Sequence, residues 1–207
     1  YALIYQIEPV VDASSYDEVA INIVNLEEYR ANPNIPLELD SAIQRVGPGY
    51  ELFLAANYLA FGRNFWVIWL IQAILYGLTI IMLGYISLKL FPEIKKNIKI
   101  VYGVMISFGI FIDAVQLNGM LMTESLFLFL LVLSFFIWSK IYESDPSTKF
   151  GWWIILGIVL GLQTLVRPTG LIIFILLSVA TLYRHHLKSI LILCLLSLLL
   201  LELVSLL

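Results

Sequence analysis

From Phe65 onward the chain is written in long apolar runs separated by short polar joints. The runs are Phe65 to Phe91, Ile98 to Ile112, Leu121 to Tyr142, Trp152 to Val166, Thr169 to Tyr183 and Ser189 to Leu207. A bilayer core about 30 Å thick is crossed by roughly 20 helical residues rising about 1.5 Å each. The pattern therefore predicts about six membrane spans, two of which, 98 to 112 and 152 to 166, must thin the bilayer or extend into their flanks. Before Phe65 the period changes. Tyr16, Val19, Ala20, Ile23 and Val24 recur at the spacing of one helix face, and Ser15 with Glu18 has the form of a capping box. These predict an amphipathic helix from Tyr16 to Tyr29 whose polar face carries Asp17, Glu18, Asn22, Asn25 and Glu28. Asp12 then stands in a loop ahead of the helix, after Pro9 has interrupted any preceding one. Residues 31 to 49, with Pro33, Pro36, Gly47, Pro48 and Gly49, read as loop, and Tyr50 to Phe61 as a second juxtamembrane helix ending at Gly62.

Composition bears on the class of molecule. Hydrophobic residues make up 61% and charged residues 13%, with a mean hydropathy of +0.95, against about half and about a quarter in soluble domains. The chain reads as an all-α polytopic membrane protein and not as a soluble enzyme. A net charge of -3 argues against nucleic acid as a partner, which would call for an excess of Lys and Arg; membrane lipids are the expected surroundings. The lone Cys194 can form neither an intramolecular disulfide nor a Cys-based metal cluster. Starting at Tyr1 and stopping at Leu207 inside an apolar run, the chain reads as a piece of something longer, and Tyr1 to Ile7 as the tail of a spanning helix.

Charge adds orientation. Nine of the 15 acids fall in residues 1 to 64, which read as a wet extracytoplasmic loop followed by a truncated transmembrane bundle over 65 to 207. All seven lysines fall in alternate joints, those around 89 to 99, 140 to 149 and 188, and so share one face, which the retention of positive charge assigns to the cytoplasm. The opposite face receives the acidic segment and the joints at Asp113 to Met120 and Arg167 to Thr169, and its cations are Arg30, Arg45, Arg63 and Arg167 only. Arginine alone suggests planar, bidentate contacts with phosphate or carboxylate. Arg167, between two apolar helices, needs an anionic partner or a route to the interface: snorkelling, a phosphate and Glu124 are the alternatives. Arg45 is either a solvated loop residue or a phosphate contact. Asp113 and Glu124 flank one joint on this face, where Glu124 begins a span and is favoured by the helix N-terminus. Trp66, Trp69, Trp138, Trp152 and Trp153 near span ends read as an interfacial belt, and His185 and His186 as cytoplasmic loop.

Four motifs occur in order: Asp12-Ala-x-x-Tyr16-x-x-x-Ala20-x-Asn22, Arg45-x-x-Pro48-Gly49-Tyr50-x-Leu52-Phe53-Leu54, Thr123-Glu124-x-Leu126-Phe127, and Gly157-x-x-x-Gly161-Leu162-x-x-Leu165-x-Arg167-Pro168-x-Gly170. Together they resemble the polyprenyl-phosphate-sugar-dependent membrane glycosyltransferases related to dolichyl-phosphate-mannose protein mannosyltransferases and to the bacterial aminoarabinose transferase. The resemblance implies a type-C glycosyltransferase helix bundle in the plasma membrane, with the active site in the first extracytoplasmic loop and a lipid-linked sugar on undecaprenyl or dolichyl phosphate as donor. It also implies about twice as many spans in the whole protein, so that this chain corresponds to the N-terminal catalytic half and is inactive alone. By position Asp12 is the expected base toward the acceptor, with Glu124 the second catalytic acid and Tyr16, Arg45, Tyr50, Asp113 and Arg167 as substrate-binding residues. Two departures stand out. The adjacent acid pair of the mannosyltransferases is matched only by Asp17-Glu18, inside the expected helix, and Glu51 replaces the proline that follows Pro-Gly-Tyr. No metal-ligand spacing and no nucleotide-binding glycine loop is present; a divalent metal is left open by the many loop acids. The other readings of the same features are a transporter or flippase of a lipid-linked or anionic substrate, with Arg167 and Glu124 lining its path, and a membrane scaffold.

Overall fold

The computed structural model describes residues 9, 11–26, 29–32, 34–36, 39–40, 47–91, 98–142 and 150–184, and over these it is all-helical. Among the described residues eight helices follow one another: α1 Asp12–Val24, α2 Gly49–Phe61, α3 Phe65–Leu90, α4 Ile98–Gly109, α5 Ile112–Leu117, α6 Thr123–Tyr142, α7 Phe150–Val166 and α8 Gly170–Arg184. The expected span at Ser189 to Leu207, the segment Tyr1 to Ile7 and the histidines at 185 and 186 lie outside the described residues.

Side-chain contacts give the topology. Gln72 near the start of α3 bonds the chain just before α6, and Lys140 near the end of α6 meets Tyr85 near the end of α3, so these two helices run parallel. Tyr76 of α3 donates to the Phe108 carbonyl near the end of α4, and Glu124 at the start of α6 pairs with Arg167 just beyond α7. Helices α4 and α7 therefore run antiparallel to α3 and α6. One end of the bundle, called the upper end below, is thus made by the starts of α3 and α6 and the ends of α4 and α7. Helices α1 and α2 belong to this end, and one core runs through both parts: Ala13, Ala20, Tyr50 and Leu54 are buried in continuity with Ile68, Leu126, Leu130, Leu156 and Leu160. Each large apolar side chain fully withdrawn from water contributes roughly 1.5–3 kcal/mol.

Among the described residues two helices are long and apolar enough to cross a bilayer, over Phe65–Lys89 and Thr123–Ile141; only 33% and 39% of their most apolar windows are buried inside the bundle. Part of the remainder faces outward. On α3 it forms a stripe of Trp66, Leu70, Ile74, Leu78 and Ile81, each at least 44% exposed, at the spacing of a single helix face. Helices α7 and α8 continue the pattern in shorter lengths, with Ile155, Ile158 and Leu162 on one and Ile172, Ile175, Leu176 and Val179 on the other exposed.

Three expectations are corrected. The first helix spans Asp12–Val24 and not Tyr16 to Tyr29: it begins once the chain has cleared Pro9 and ends where Leu26 turns to a φ of 59°, which a helix does not accommodate. Asp12 accordingly lies in the first helical turn, where its charge suits the helix dipole, and Ser15 is helical rather than a cap. The continuous apolar run from Ile98 to Ile112 is broken: α4 stops at Gly109 and a short α5 starts at Ile112. Of the tryptophans assigned to an interfacial belt, Trp69 and Trp153 are buried in the core, at 5% and 3% exposure, whereas Trp66 is exposed. By contrast α2 starts at Gly49 and ends at Gly62, whose φ of 71° closes it.

A candidate site at the upper end of the bundle

The site is assembled on a close approach of backbone to backbone. Gly47 has a φ of 117°, and a Cβ there would stand 2.4 Å from the Leu165 carbonyl oxygen; a Cβ on Gly49 would stand 2.7 Å from the Val166 nitrogen. Only glycine permits this contact, which seats Gly47-Pro48-Gly49 on the last turn of α7 beside Arg167. Helix α2 begins directly at Gly49, with the Leu52 N–H donating to the Pro48 carbonyl at 3.0 Å. The first turn therefore forms with Glu51 in place of proline, and the Glu51 side chain is fully buried.

Tyr50 is the centre of the arrangement. Its ring is fully buried, meets Tyr16 of α1 edge-on at 5.4 Å and stacks on Phe53 at 5.8 Å. Its hydroxyl donates to Gln72 Oε1 at 2.8 Å. Gln72 in turn donates from Nε2 to the carbonyls of Asn118 and Met120, both at 2.9 Å, which ties α2 and α3 to the joint preceding α6. Burial first, and then the neighbouring Tyr58, Tyr16 and Glu124, holds the Tyr50 phenol well above its ordinary range. It is a neutral hydrogen-bond donor at physiological pH.

Past that joint, Arg167 Nη1 donates to Glu124 Oε1 at 2.8 Å, with side-chain exposures of 39% and 31%. The guanidinium lies 6.0 Å from the Phe127 ring centroid, and Thr123 donates to the second Glu124 oxygen at 3.2 Å. Glu124 thus pairs with Arg167 at the start of the helix whose preceding joint is tied through Gln72 to Tyr50. Of the alternatives for Arg167, the structure contains the carboxylate partner. One turn back on α7, Gln163 is fully buried with neither amide atom bonded among the described residues.

Asp12 is exposed in the first turn of α1, one turn before Tyr16 and on its side of the helix. Just ahead of it Val11 sits at φ 53°, ψ -115°, a strained conformation for a β-branched residue. Asp113 is exposed at the start of α5, and no described contact joins it to the other candidates. Arg45 lies outside the described residues. The structure therefore brings Tyr16, Tyr50, Glu124 and Arg167 together, with Asp12 one turn away from Tyr16.

Asp17 overturns its expected place on a solvated face. It is 3% exposed, on the buried side of α1 between Ala13 and Ala20. Arg63 grips it with a fork: Nη2 donates to Oδ2 at 2.6 Å and Nε reaches Oδ1 and Oδ2 at 3.2 and 3.1 Å, while the Tyr58 hydroxyl donates to Oδ1 at 2.7 Å. A carboxylate satisfied this fully tolerates burial. Burial, followed by the hydrogen bond to Asp17, raises the Tyr58 phenol well above its ordinary value, and that same carboxylate raises Arg63. Arg30 spends its guanidinium on the Ile35 carbonyl at 2.7 Å. The three described arginines of the lysine-poor face thus all donate to oxygens of the chain itself.

Neither Gln72 nor Asp17 was among the expected site residues. The signal for Gln72 was present, since an amide within an apolar span is costly unless it serves a purpose. That for Asp17 was not, because Arg63 lies 46 residues away. Among the described residues no group of three His, Cys, Asp or Glu side chains is placed to hold a metal ion. Comparison with protein-family models, with curated proteins and with solved structures returns no match.

Proposed function

We propose that the intact protein is a multi-pass plasma-membrane glycosyltransferase that takes a sugar from a polyprenyl phosphate and passes it to an acceptor on the extracytoplasmic face. One observation carries this reading: the four motifs, spread over more than 150 residues of sequence, converge at one end of the bundle. Tyr16 lies against Tyr50, Gln72 ties the Tyr50 hydroxyl to the joint that leads into Glu124, and the Gly-Pro-Gly turn rests on the residues that precede Arg167. The outward-facing apolar stripes on α3, α7 and α8 support a bundle with lipid around it.

In the proposed reaction the acceptor hydroxyl attacks the anomeric carbon of the sugar. Its proton passes to the Asp12 carboxylate, the bond from the anomeric carbon to the phosphate oxygen breaks, and the polyprenyl phosphate leaves with that electron pair. Arg167 meets the charge that develops on the phosphate. Glu124 aims the guanidinium, and the buried Tyr50 hydroxyl with Gln72 keeps this floor rigid.

The test uses the full-length protein in membranes with a radiolabelled polyprenyl-phosphate sugar. Transfer to an acceptor is expected, and Asp12→Asn, which keeps shape and removes the base, should lower turnover about 100-fold. Movement of labelled lipid across the bilayer without transfer would instead identify a flippase. Residues 12 and 45 must also label from outside the cell; labelling of either from the cytoplasm removes the mechanism.

A further inference from the structure

We propose that Asp17, Arg63 and Tyr58 form a latch of positioning residues that holds α1 on the bundle and thereby keeps Asp12 and Tyr16 over the Tyr50, Glu124 and Arg167 cluster. The role in transfer rests on the function proposed above; the latch itself does not.

Helix α1 packs mainly on α2. On its buried face Ala13 and Ala20 are small, Val19 is the one larger aliphatic side chain fully buried, and Asp17 occupies the middle of the face, while Tyr16, Ile21, Ile23 and Val24 pack half-buried at its margins. At the centre of this face the docking contact is polar, so removing it exposes a buried charge rather than merely thinning an apolar contact. Three elements converge on Asp17: α1 itself, Tyr58 of α2, and Arg63 in the joint between α2 and α3. Arg63 is placed by the turn at Gly62 and by contact of its guanidinium with the Phe65 ring at 4.9 Å from the centroid. Asp17 follows Tyr16 directly and lies about 7 Å along the helix axis from Asp12. The latch therefore lies next to the candidate site in the chain, yet its carboxylate is turned away into the α2 side and is occupied by the hydrogen bonds of Arg63 and Tyr58. Its influence on chemistry would run through the placement of α1.

The experiment reads α1 docking and transfer separately. In the full-length protein, solubilised in detergent and with Cys194 and any other native cysteine replaced by serine, a cysteine replaces Ala20, which is fully buried on the inner face of α1, or Leu160, which is fully buried in α7. Maleimide should label both slowly. Arg63→Gln and Asp17→Asn should speed labelling at position 20 at least tenfold and leave position 160 protected, while Arg63→Lys, which keeps the charge but not the fork, should keep part of the protection. Unchanged labelling at position 20, or equal acceleration at both positions, overturns the latch; the second outcome marks the pair as part of the global fold. With lipid-linked sugar, Arg63→Gln should lower kcat at least tenfold with the donor KM little changed, and Arg63→Lys should restore part of it. Full kcat in an Arg63→Gln protein whose α1 has come loose overturns the positioning role. If the unsubstituted protein transfers no sugar, the transferase reading fails, and the labelling alone decides the latch.

Discussion

Two arginine–carboxylate pairs occupy the same end of this molecule and are built to opposite designs. In the pair of Asp17 and Arg63 the carboxylate side chain is 4% exposed and receives a guanidinium fork plus a phenol. In the pair of Glu124 and Arg167 both partners are about one-third exposed and joined by a single bond of 2.8 Å. The first carboxylate is saturated, so a ligand would gain nothing by competing for it. The second pair keeps guanidinium donors in reserve beside a buried phenol and a buried amide network. Burial with full hydrogen bonding turns a pair into structure, whereas partial exposure with unused donors leaves it open to an anion.

The contrast is broken most directly by exchanging each arginine for its neutral isostere. Arg167→Gln should lower turnover about 100-fold or more, as loss of a transition-state donor does, and Arg167→Lys should recover little of it, because an ammonium lacks the planar fork. Arg63→Lys should recover part of what Arg63→Gln loses, since the buried Asp17 charge is still neutralised although the fork is gone. Single-turnover rates with the lipid-linked donor check this ranking, and equal sensitivity of the two sites would erase the distinction.

Stability should rank the other way. Arg63→Gln leaves Asp17 a buried carboxylate with one partner fewer, which should cost about 2 kcal/mol after discounting for the exposed arginine. Arg167→Gln should cost less than about 1 kcal/mol. Thermal unfolding in detergent measures both.

The buried phenols sharpen the comparison through pH. Tyr50 and Tyr58 are both held above the ordinary tyrosine value. Their folded-state pKa values are raised, so the stability they contribute is complete below about pH 10. Above it the unfolded chain loses protons that the folded chain keeps, and stability falls by about 1.4 kcal/mol per pH unit for each such phenol. Ultraviolet titration should show two of the tyrosines ionising only as the protein unfolds. Tyr58→Phe removes one of them and one hydrogen bond of the latch; Tyr50→Phe removes the other without touching Asp17.

How much of this could be read from the residues alone follows from the range of each interaction. Helices α3, α7 and α8 were legible because each is apolar on its buried and its exposed faces alike over a long run, and α2 because Gly49 and Gly62 bracket it. The break between α4 and α5 was not, since Ile110, Phe111 and Ile112 are as apolar as the helix before them and hydropathy carries no record of a backbone turn. Within the site, Tyr16, Tyr50, Glu124 and Arg167 were named from motif order. Asp17 was misplaced because helical periodicity sorts residues by polarity, and a carboxylate four residues after one alanine and three before another reads as solvated until its partner is known. Gln72 was passed over for a related reason. One polar residue hardly changes the hydropathy of a long span, yet it carries three hydrogen bonds.

The smallest expected change in stability is also the most discriminating for chemistry. Glu124→Gln keeps an acceptor for Arg167 and removes one charge from a pair that solvent already screens, so stability should shift by less than about 1 kcal/mol. Its effect on the donor depends on what Glu124 does. If the carboxylate only neutralises Arg167, its loss frees the guanidinium for a phosphate, and the donor KM should fall about threefold with turnover unchanged. If it aims the guanidinium at the departing oxygen, as proposed above, KM should fall by the same factor while turnover drops at least tenfold, because a freed arginine binds the ground state as well as the transition state. An increase in KM would contradict both and would mean that Arg167 does not meet the phosphate, leaving its pair with Glu124 as structural as the one at Asp17.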